Sequence, residues 1–344
     1  MTFRLLVVED NEEDLGVITD TIERYVDKSS RTITVVTCKS VLEASSEIDN
    51  SFDGAIIDMK LGEKAAGGNE VLEEIVAQNI RIPIAVVTGT PAVADGAIAH
   101  FDMHSKGSVD YADILDQFWG IHQSGLTKVM GARGKIEDLL NEVYKKNLLP
   151  QKASWISNGE IDAEKSEAAI LRHTLNHLIH IIDQDNEDCF PEEFYISPPY
   201  KTNLSTGGVY RSKENEDYFV VLSPACDLAV RQNGSFKTCH IQLVRIESLE
   251  GSIEGLKAKD ARNKIKKLKQ NNFNQFNHYL PETKFFQGGL LNFRQVNSVS
   301  KGDFEEKYGA SLHQISSPFL KDIVGRFSSY YARQGQPEIC DTQL

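Results

Sequence analysis

Along the first 120 residues, short apolar runs alternate with stretches whose apolar positions recur every three or four residues. The runs 3–8, 32–37, 54–58 and 83–88, with a weaker one at 98–103, predict strands; the intervening 12–26, 40–49, 68–78 and 110–119 predict helices. Apolar strands that alternate with helices are the pattern of a parallel sheet covered on both faces. Such a doubly wound α/β sheet binds ligands beyond the carboxyl ends of its strands, where the chain direction switches.

After Gly125 the alternation stops. Residues 133–149 place Ile136, Leu139, Leu140, Val143 and Tyr144 at helical spacing, and Pro150 is expected to close the segment. A second helix is predicted over 162–182, with Ala168, Leu171, Leu175, Leu178, Ile179 and Ile182 toward a core. From residue 190 the pattern becomes one of short strands, at 207–211, 217–223 and 238–246. A basic helix at 256–270, the run Gly288-Gly289-Leu290-Leu291 and a last helix at 317–333 follow. The predicted organisation is a five-stranded α/β domain at 1–125, a helical connector at 126–185, and an α+β domain at 186–344 for which a small β-barrel is one form.

Composition narrows the class. A chain of 344 residues with 40% hydrophobic and 25% charged positions accommodates two or three globular domains. No apolar run approaches the ~18 residues of a membrane span, and Met1-Thr2-Phe3-Arg4 enters a strand directly, an arrangement expected of a chain without a signal peptide. Five scattered cysteines, Cys38, Cys189, Cys226, Cys239 and Cys340, read as reduced thiols of a cytoplasmic protein. Residues 1–125 carry 9 Lys/Arg against 22 Asp/Glu and so hold the whole net charge of −13, while the remainder is balanced at 28 of each. That contrast marks two kinds of module and argues against the whole chain being a nucleic-acid binder.

The chemistry concentrates at predicted strand ends. The first strand leads into Glu9-Asp10, the third ends at Asp58, the fourth at Thr88, and a later stretch supplies Lys106. Three carboxylates at the mouth of a sheet form an oxygen-rich pocket suited to Mg²⁺, a hard cation. With a hydroxyl and an ammonium beside them, they describe a site that takes up a phosphoryl group on an aspartate.

On these strings, Val7-Val8-Glu9-Asp10-Asn11 and Ile57-Asp58-Met59-Lys60-Leu61, residues 1–120 resemble the receiver domain of two-component response regulators, a flavodoxin-like fold. The resemblance implies that Glu9 and Asp10 hold Mg²⁺ together with Asp58 and the carbonyl of Lys60. It implies Asp58 as phosphoacceptor, Thr88 as the switch hydroxyl and Lys106 as the phosphoryl-binding lysine. It also implies a phosphorelay role, with a sensor histidine kinase or phosphotransfer protein as partner. Two positions depart from the family. Gly107 stands where proline is usual, so a cis peptide is not expected, and Met103 stands where an aromatic switch residue is usual, with Phe101 or His104 as substitutes. Together with Pro91 and Gly96 in a short stretch before Lys106, these predict an altered output face.

Residues 126–344 resemble the C-terminal part of uncharacterised bacterial response-receiver proteins through Leu171-Arg172-His173-Thr174-Leu175-Asn176-His177-Leu178, Pro191-Glu192-Glu193-Phe194-Tyr195 and Val221-Leu222-Ser223-Pro224-Ala225-Cys226-Asp227-Leu228. No activity comes with that resemblance. Cys226 and Asp227 end an apolar strand. A buried cysteine beside a turn-capping aspartate is the first reading, and a nucleophile served by His240, His177 or His173 the second. Cys226, Cys239 and His240 are a zinc set without CxxC spacing. His173, His177 and His180 share a helical face, for packing first and metal ligation second. Residues 257–269 hold seven basic residues and one acid, Asp260. A solvated face is the first reading there, docking on the acidic receiver the second, and nucleic acid the third. The chain as a whole reads as a receiver that controls a catalytic or a binding output, or that serves as a phosphate sink, with a homodimer as a further arrangement and no membrane partner.

Overall fold

Strand β1 (Phe3–Val8) is apolar along almost its whole length because both its faces are covered. It pairs in parallel with β2 (Ile33–Cys38) on one side and β3 (Gly54–Ile57) on the other. Strands β4 (Ile84–Thr88) and β5 (Asp102–Ser105) extend the sheet, giving the order β2-β1-β3-β4-β5, all parallel. Alternate residues face opposite layers. Phe3, Leu5, Val7, Ile56 and Val87 pack on helices α1 (Glu12–Ser29) and α4 (Tyr111–Ser124), while Leu6, Val8, Ile57 and Val86 pack toward α2 (Val41–Glu47) and α3 (Gly67–Ala77). This is the doubly wound flavodoxin-like sheet anticipated from the pattern.

The structure, a computed structural model, describes residues 2–62, 67–89, 101–131, 133–182, 188–200, 204–229, 231 and 237–333. Thr90, Pro91, Gly96 and Cys340 lie outside these. The chain forms two compact units, Met1–Asn186 and Glu187–Leu344. The fifth strand falls at 102–105 rather than 98–103, and it is mostly exposed, as an edge strand is.

The helices after α4 belong to the first unit. They are α5 (Leu126–Met130), α6 (Lys135–Val143), α7 (Lys152–Ile161) and α8 (Ala163–Ile182). Arg81 fastens α5 and α6 to the sheet domain, bonding the Met130 carbonyl and pairing with Glu137 at 2.7 Å. Pro150 does not close the segment as expected. It occupies the first turn of a 3₁₀ stretch that leads directly into α7, where a missing N–H costs nothing. The expected burial of the α8 stripe is also corrected: Leu171 is 62% exposed and Ile182 60%, with Leu175 and Ile179 exposed as well.

In the second unit the strands are β6 (Tyr195–Ile196), β7 (Gly208–Arg211), β8 (Tyr218–Val221), β9 (His240–Glu247), β10 (Asn277–Leu280), β11 (Gly289–Ser300) and β12 (His313–Ile315). They form one antiparallel sheet in the order β10-β11-β9-β8-β7-β12-β6. Its two ends approach a common core: the Tyr195 hydroxyl donates to the Pro281 carbonyl at 2.8 Å, and Phe194, Tyr195, Leu280 and Phe286 share one cluster. The sheet is therefore curled into a half-barrel. Helix α12 (Ser317–Tyr331) fills its concave side with Ile323, Phe319 and Phe327. Three shorter helices, α9 (Ala225–Leu228), α10 (Ala258–Lys269) and α11 (Lys301–Lys307), complete the unit.

Candidate functional site

Strand register assembles the carboxylates. Val8 is opposite Ile57 in the β1–β3 pair, and the Asp58 amide donates to the Val8 carbonyl at 2.9 Å, so Glu9 and Asp58 leave neighbouring strand ends together. The β4–β5 pair sets Thr88 opposite Ser105, and the Lys106 amide donates to the Thr88 carbonyl at 3.1 Å. Thr88 is fully buried.

Lys106 is the centre of the site. Its Nζ lies 2.7 Å from Glu9 Oε2, 3.0 Å from Asp58 Oδ2 and 2.7 Å from Asp14 Oδ2. Glu9 and Asp58 are almost completely buried, so their charges are poorly screened by water. Burial pushes the Glu9 carboxyl above its usual range, against the hydrogen bond from Lys106, and the nearby Asp58 adds to the rise. Burial pulls the Lys106 pKa down, but its hydrogen bonds to Asp14, Glu9 and Asp58 more than offset that and raise it. Tyr111, at the start of α4, is raised to about 12 by burial and then by the charge of Glu9.

Local backbone devices hold these groups. Asn11 caps α1, accepting from the amides of Glu13 and Asp14, and its own amide donates to Glu9 Oε1 at 3.1 Å. Asp10 Oδ2 accepts from the Gly62 amide at 2.8 Å, tying the loop after β3 to the loop after β1; Gly62 has φ +64°, which favours glycine. Gly68, in the first turn of α3, sits so close that a Cβ there would come within 2.4 Å of the Asp58 carbonyl oxygen.

The residues present fit a divalent cation. Ligand oxygens of Glu9, Asp10 and Asp58 lie within 4.8 Å of one another, and this is the one group of three or more metal-ligating side chains among the described residues. Asp58 Oδ1 is buried without a hydrogen-bond partner. An all-carboxylate set with a spare buried oxygen is a hard-donor site of the kind Mg²⁺ takes.

The structure thus gathers Glu9, Asp10, Asp58 and Lys106 in one cluster and places Thr88, the fifth residue, beside it at the end of β4 through the backbone bond to Lys106. It adds Asp14, Gly68 and Tyr111, which the sequence reading missed. Asp14 reads as an ordinary first-turn acid of α1, and only the position of Lys106 gives it a partner. At the positions where the sequence departs from the receiver pattern, Met103 is exposed, Phe101 is half-buried against the core, and His104 keeps a buried, unpartnered Nε2.

The candidates of the second module do not converge. Cys226 is exposed, not buried, and its side-chain neighbour is Asp227 at 3.7 Å. Asp227 pairs instead with Lys237 at 3.2 Å, and its carbonyl accepts from the Lys237 and Thr238 amides. His240 makes no hydrogen bond to Cys226, and Cys226, Cys239 and His240 form no ligand cluster among the described residues. On α8, the Nε2 atoms of His173 and His177 lie 3.1 Å apart and Trp155 of α7 packs on His173, while His180 is exposed.

No protein-family model matches the chain, and no curated protein matches it. Solved structures do, over the N-terminal third. A response regulator receiver domain (CheY-like) from Methylobacillus flagellatus is 18% identical, covers 34% of this chain and 99% of its own, and superposes with a TM-score of 0.29. A response regulator receiver domain protein from Clostridium thermocellum is 23% identical, with coverage of 36% and 98% and a TM-score of 0.30. A response regulator receiver protein from Pseudoalteromonas atlantica is 17% identical, with 36% and 98% covered and a TM-score of 0.28.

Proposed function

We propose that the first unit is a phosphoacceptor and that Asp58 is the residue modified. The observation that carries this is the buried junction of Asp58, Glu9 and Lys106, with Asp58 Oδ1 left unpartnered at the mouth of the sheet. In the reaction, an Asp58 carboxylate oxygen attacks the phosphorus of a phosphohistidine on a kinase or phosphotransfer protein. The new O–P bond forms as the P–N bond breaks, and the departing imidazole takes up a proton. Mg²⁺, held by Glu9, Asp10, Asp58 and the Lys60 carbonyl, would supply positive charge to the phosphoryl oxygens. Lys106 exchanges its contact with Asp58 for one with a phosphoryl oxygen, because phosphorylation removes the carboxylate charge of Asp58 that it now neutralises and places negative charge on the phosphoryl oxygens. The Thr88 hydroxyl holds a second phosphoryl oxygen, and its movement pulls on the β4 end that carries β5 through the Thr88–Lys106 backbone bond.

This makes the protein a response regulator whose receiver state controls the Glu187–Leu344 unit, with a cytoplasmic histidine kinase or phosphotransfer protein as its partner. No helix among the described residues is long and apolar enough to cross a membrane. The test is direct. With Mg²⁺ and a small acyl-phosphate or phosphoramidate donor, intact-mass spectrometry should show one added phosphoryl group on the wild type and none on Asp58→Asn. Equal labelling of both proteins, or no labelling of the wild type, overturns the proposal.

A further inference from the structure

In a chain of net charge −13, one helix is almost purely cationic. Lys257, Lys259, Arg262, Lys266, Lys267 and Lys269, on or beside α10, are all exposed, and none has a carboxylate within ion-pair distance among the described residues. Elsewhere in this unit some surface cations are paired, as Lys237 is with Asp227, Arg211 with Glu216 and Lys307 with Glu214, and the exposed ones without an ion pair among the described residues, such as Lys284, Lys321 and Arg333, are scattered rather than gathered on one helix. A solvated face needs no such segregation. Six unpaired ammonium and guanidinium groups on one short helix hold a counterion atmosphere that a polyanion would release on binding.

The segment that follows the helix adds flat apolar rings to this charge. Phe273 is 44% exposed, with Lys264 Nζ 5.2 Å from its ring centroid. Arg294 lies over Phe276 at 3.8 Å, and Lys269 is 5.7 Å from the Tyr279 ring. The loop carrying these rings is fixed by its own polar network. Arg326 donates to the Asn271 carbonyl at 3.0 Å, Asn274 Oδ1 accepts from the Phe276 and Asn277 amides, and Asn271 Oδ1 accepts from the Tyr279 amide at 2.7 Å. Rings presented on a rigid loop lose little entropy when something stacks on them.

We propose that α10 and the 270–279 segment form a binding surface for single-stranded nucleic acid, the helix holding phosphates and Phe273 stacking on a base. Acidic protein would satisfy the cations but leaves the exposed ring without a role, and a duplex offers its phosphates while keeping its bases stacked on one another. Cationic grooves with interleaved aromatic rings are the recurring solution for unpaired strands.

The experiment is fluorescence anisotropy with the full chain and labelled single-stranded RNA and DNA of about 16 nucleotides, with a duplex of equal length and heparin as comparisons. Single strands should bind more tightly than the duplex. The salt dependence should have a log–log slope no steeper than about −4, from ~0.7 per phosphate contact and six exposed cations. Phe273→Ala should weaken single-strand binding about 5- to 100-fold, Phe273→Tyr should retain it, and the Lys266→Glu/Lys267→Glu pair should weaken it about tenfold or more at low salt. Circular dichroism of each variant guards against misfolding, and the exposed lysine pair gives a second variant independent of the ring. Three results overturn the proposal: no binding at low salt, duplex and heparin bound as tightly with Phe273→Ala unaffected, or the lysine pair altering the chain's hydrodynamic radius while oligonucleotide binding stays unchanged.

Discussion

Replacing Lys106 by methionine keeps the length of the side chain and removes the one cation that touches both buried carboxylates. Its ammonium stands 2.7 Å from Glu9 and 3.0 Å from Asp58. At an effective dielectric near 20, each of these pairings is worth about 6 kcal/mol of Coulomb energy before the cost of desolvating the ammonium. Breaking a buried pair typically leaves a net loss of about 3–5 kcal/mol, because the remaining charges stay buried. Both tryptophans of the chain, Trp119 and Trp155, lie in the first unit, so tryptophan fluorescence in urea follows that unit alone. The midpoint should fall by about 2 M, taking ~4 kcal/mol and a slope of ~2 kcal/mol per M. The deficit should depend on pH in a defined direction. Burial already holds the Glu9 carboxyl above its usual range, and without Lys106 it rises further. The folded variant then binds a proton that the unfolded chain does not, so stability is lost as pH rises. The deficit is therefore largest near pH 8 and shrinks toward pH 5. Mg²⁺ should restore the variant more than it stabilises the wild type, because it binds only the folded form. An unchanged midpoint at pH 8 without Mg²⁺, or a deficit that does not shrink on acidification, would refute the assignment of Lys106 as the neutralising group.

Asp58→Asn should abolish phosphoryl uptake yet raise the urea midpoint of the first unit by the equivalent of about 1 kcal/mol without Mg²⁺, since it removes one of several crowded like charges. Gly68→Ala forces a Cβ against the Asp58 carbonyl oxygen at 2.4 Å. It should cost about 1–3 kcal/mol and slow labelling by the small phosphodonor, whereas a structural account confined to α3 predicts lower stability with an unchanged labelling rate. In the second unit, burial and then Arg326 lower His278 to about 3, and the nearby Asp322 carboxylate, 3.7 Å away, is too exposed to reverse this. The unfolded chain therefore binds a proton that the folded unit refuses, and stability falls by about 1.4 kcal/mol per pH unit from pH 6.5 downward. Far-UV circular dichroism in urea at pH 7 and pH 5 should show this loss, and His278→Phe should flatten it.

How much of this was legible in the sequence depended on where each structural decision is made. Strands buried on both faces must be apolar throughout, so β1, β3 and β4 announced themselves. Because each ends where its apolar run ends, Glu9, Asp58 and Thr88 could be placed at a sheet mouth from the pattern alone. Lys106 reads as the ammonium of the site from a later stretch of the chain, but its role as the phosphoryl-binding lysine came only from the resemblance to a known family, since nothing in its own neighbourhood marks that role. In the second unit the decisions are non-local. The two residues of β6 and three of β12 have no periodicity to read, and they are strands only because Tyr195 and Ile196 meet Ile315 and Gln314 across more than a hundred residues of chain. Cys226 misled for a related reason: an apolar run predicts a buried strand, and the chain turns outward at Pro224, just before the cysteine.

Helices α8 and α10 carry the same lesson with opposite chemistry. The spacing of Leu171, Leu175, Leu178 and Ile182 states which face of α8 is apolar, and the spacing of the lysines states which face of α10 is charged. Neither states what lies opposite. Periodicity is a property of one helix, whereas burial and ion pairing are properties of two surfaces. In α8 the outcome is a stripe whose ends, Leu171 and Ile182, are as open to solvent as a polar face would be. In α10 it is a set of six cations gathered on or beside one helix that the acids of the same unit leave unpaired among the described residues, whereas Arg211, Lys237 and Lys307 elsewhere in the unit have carboxylate partners. Charge left uncompensated costs solubility little and stability a few tenths of a kcal/mol per contact, so folding alone gives no reason to collect it on one face. A face that folding does not require is where selection for binding can act, and in the second unit α10 is such a face.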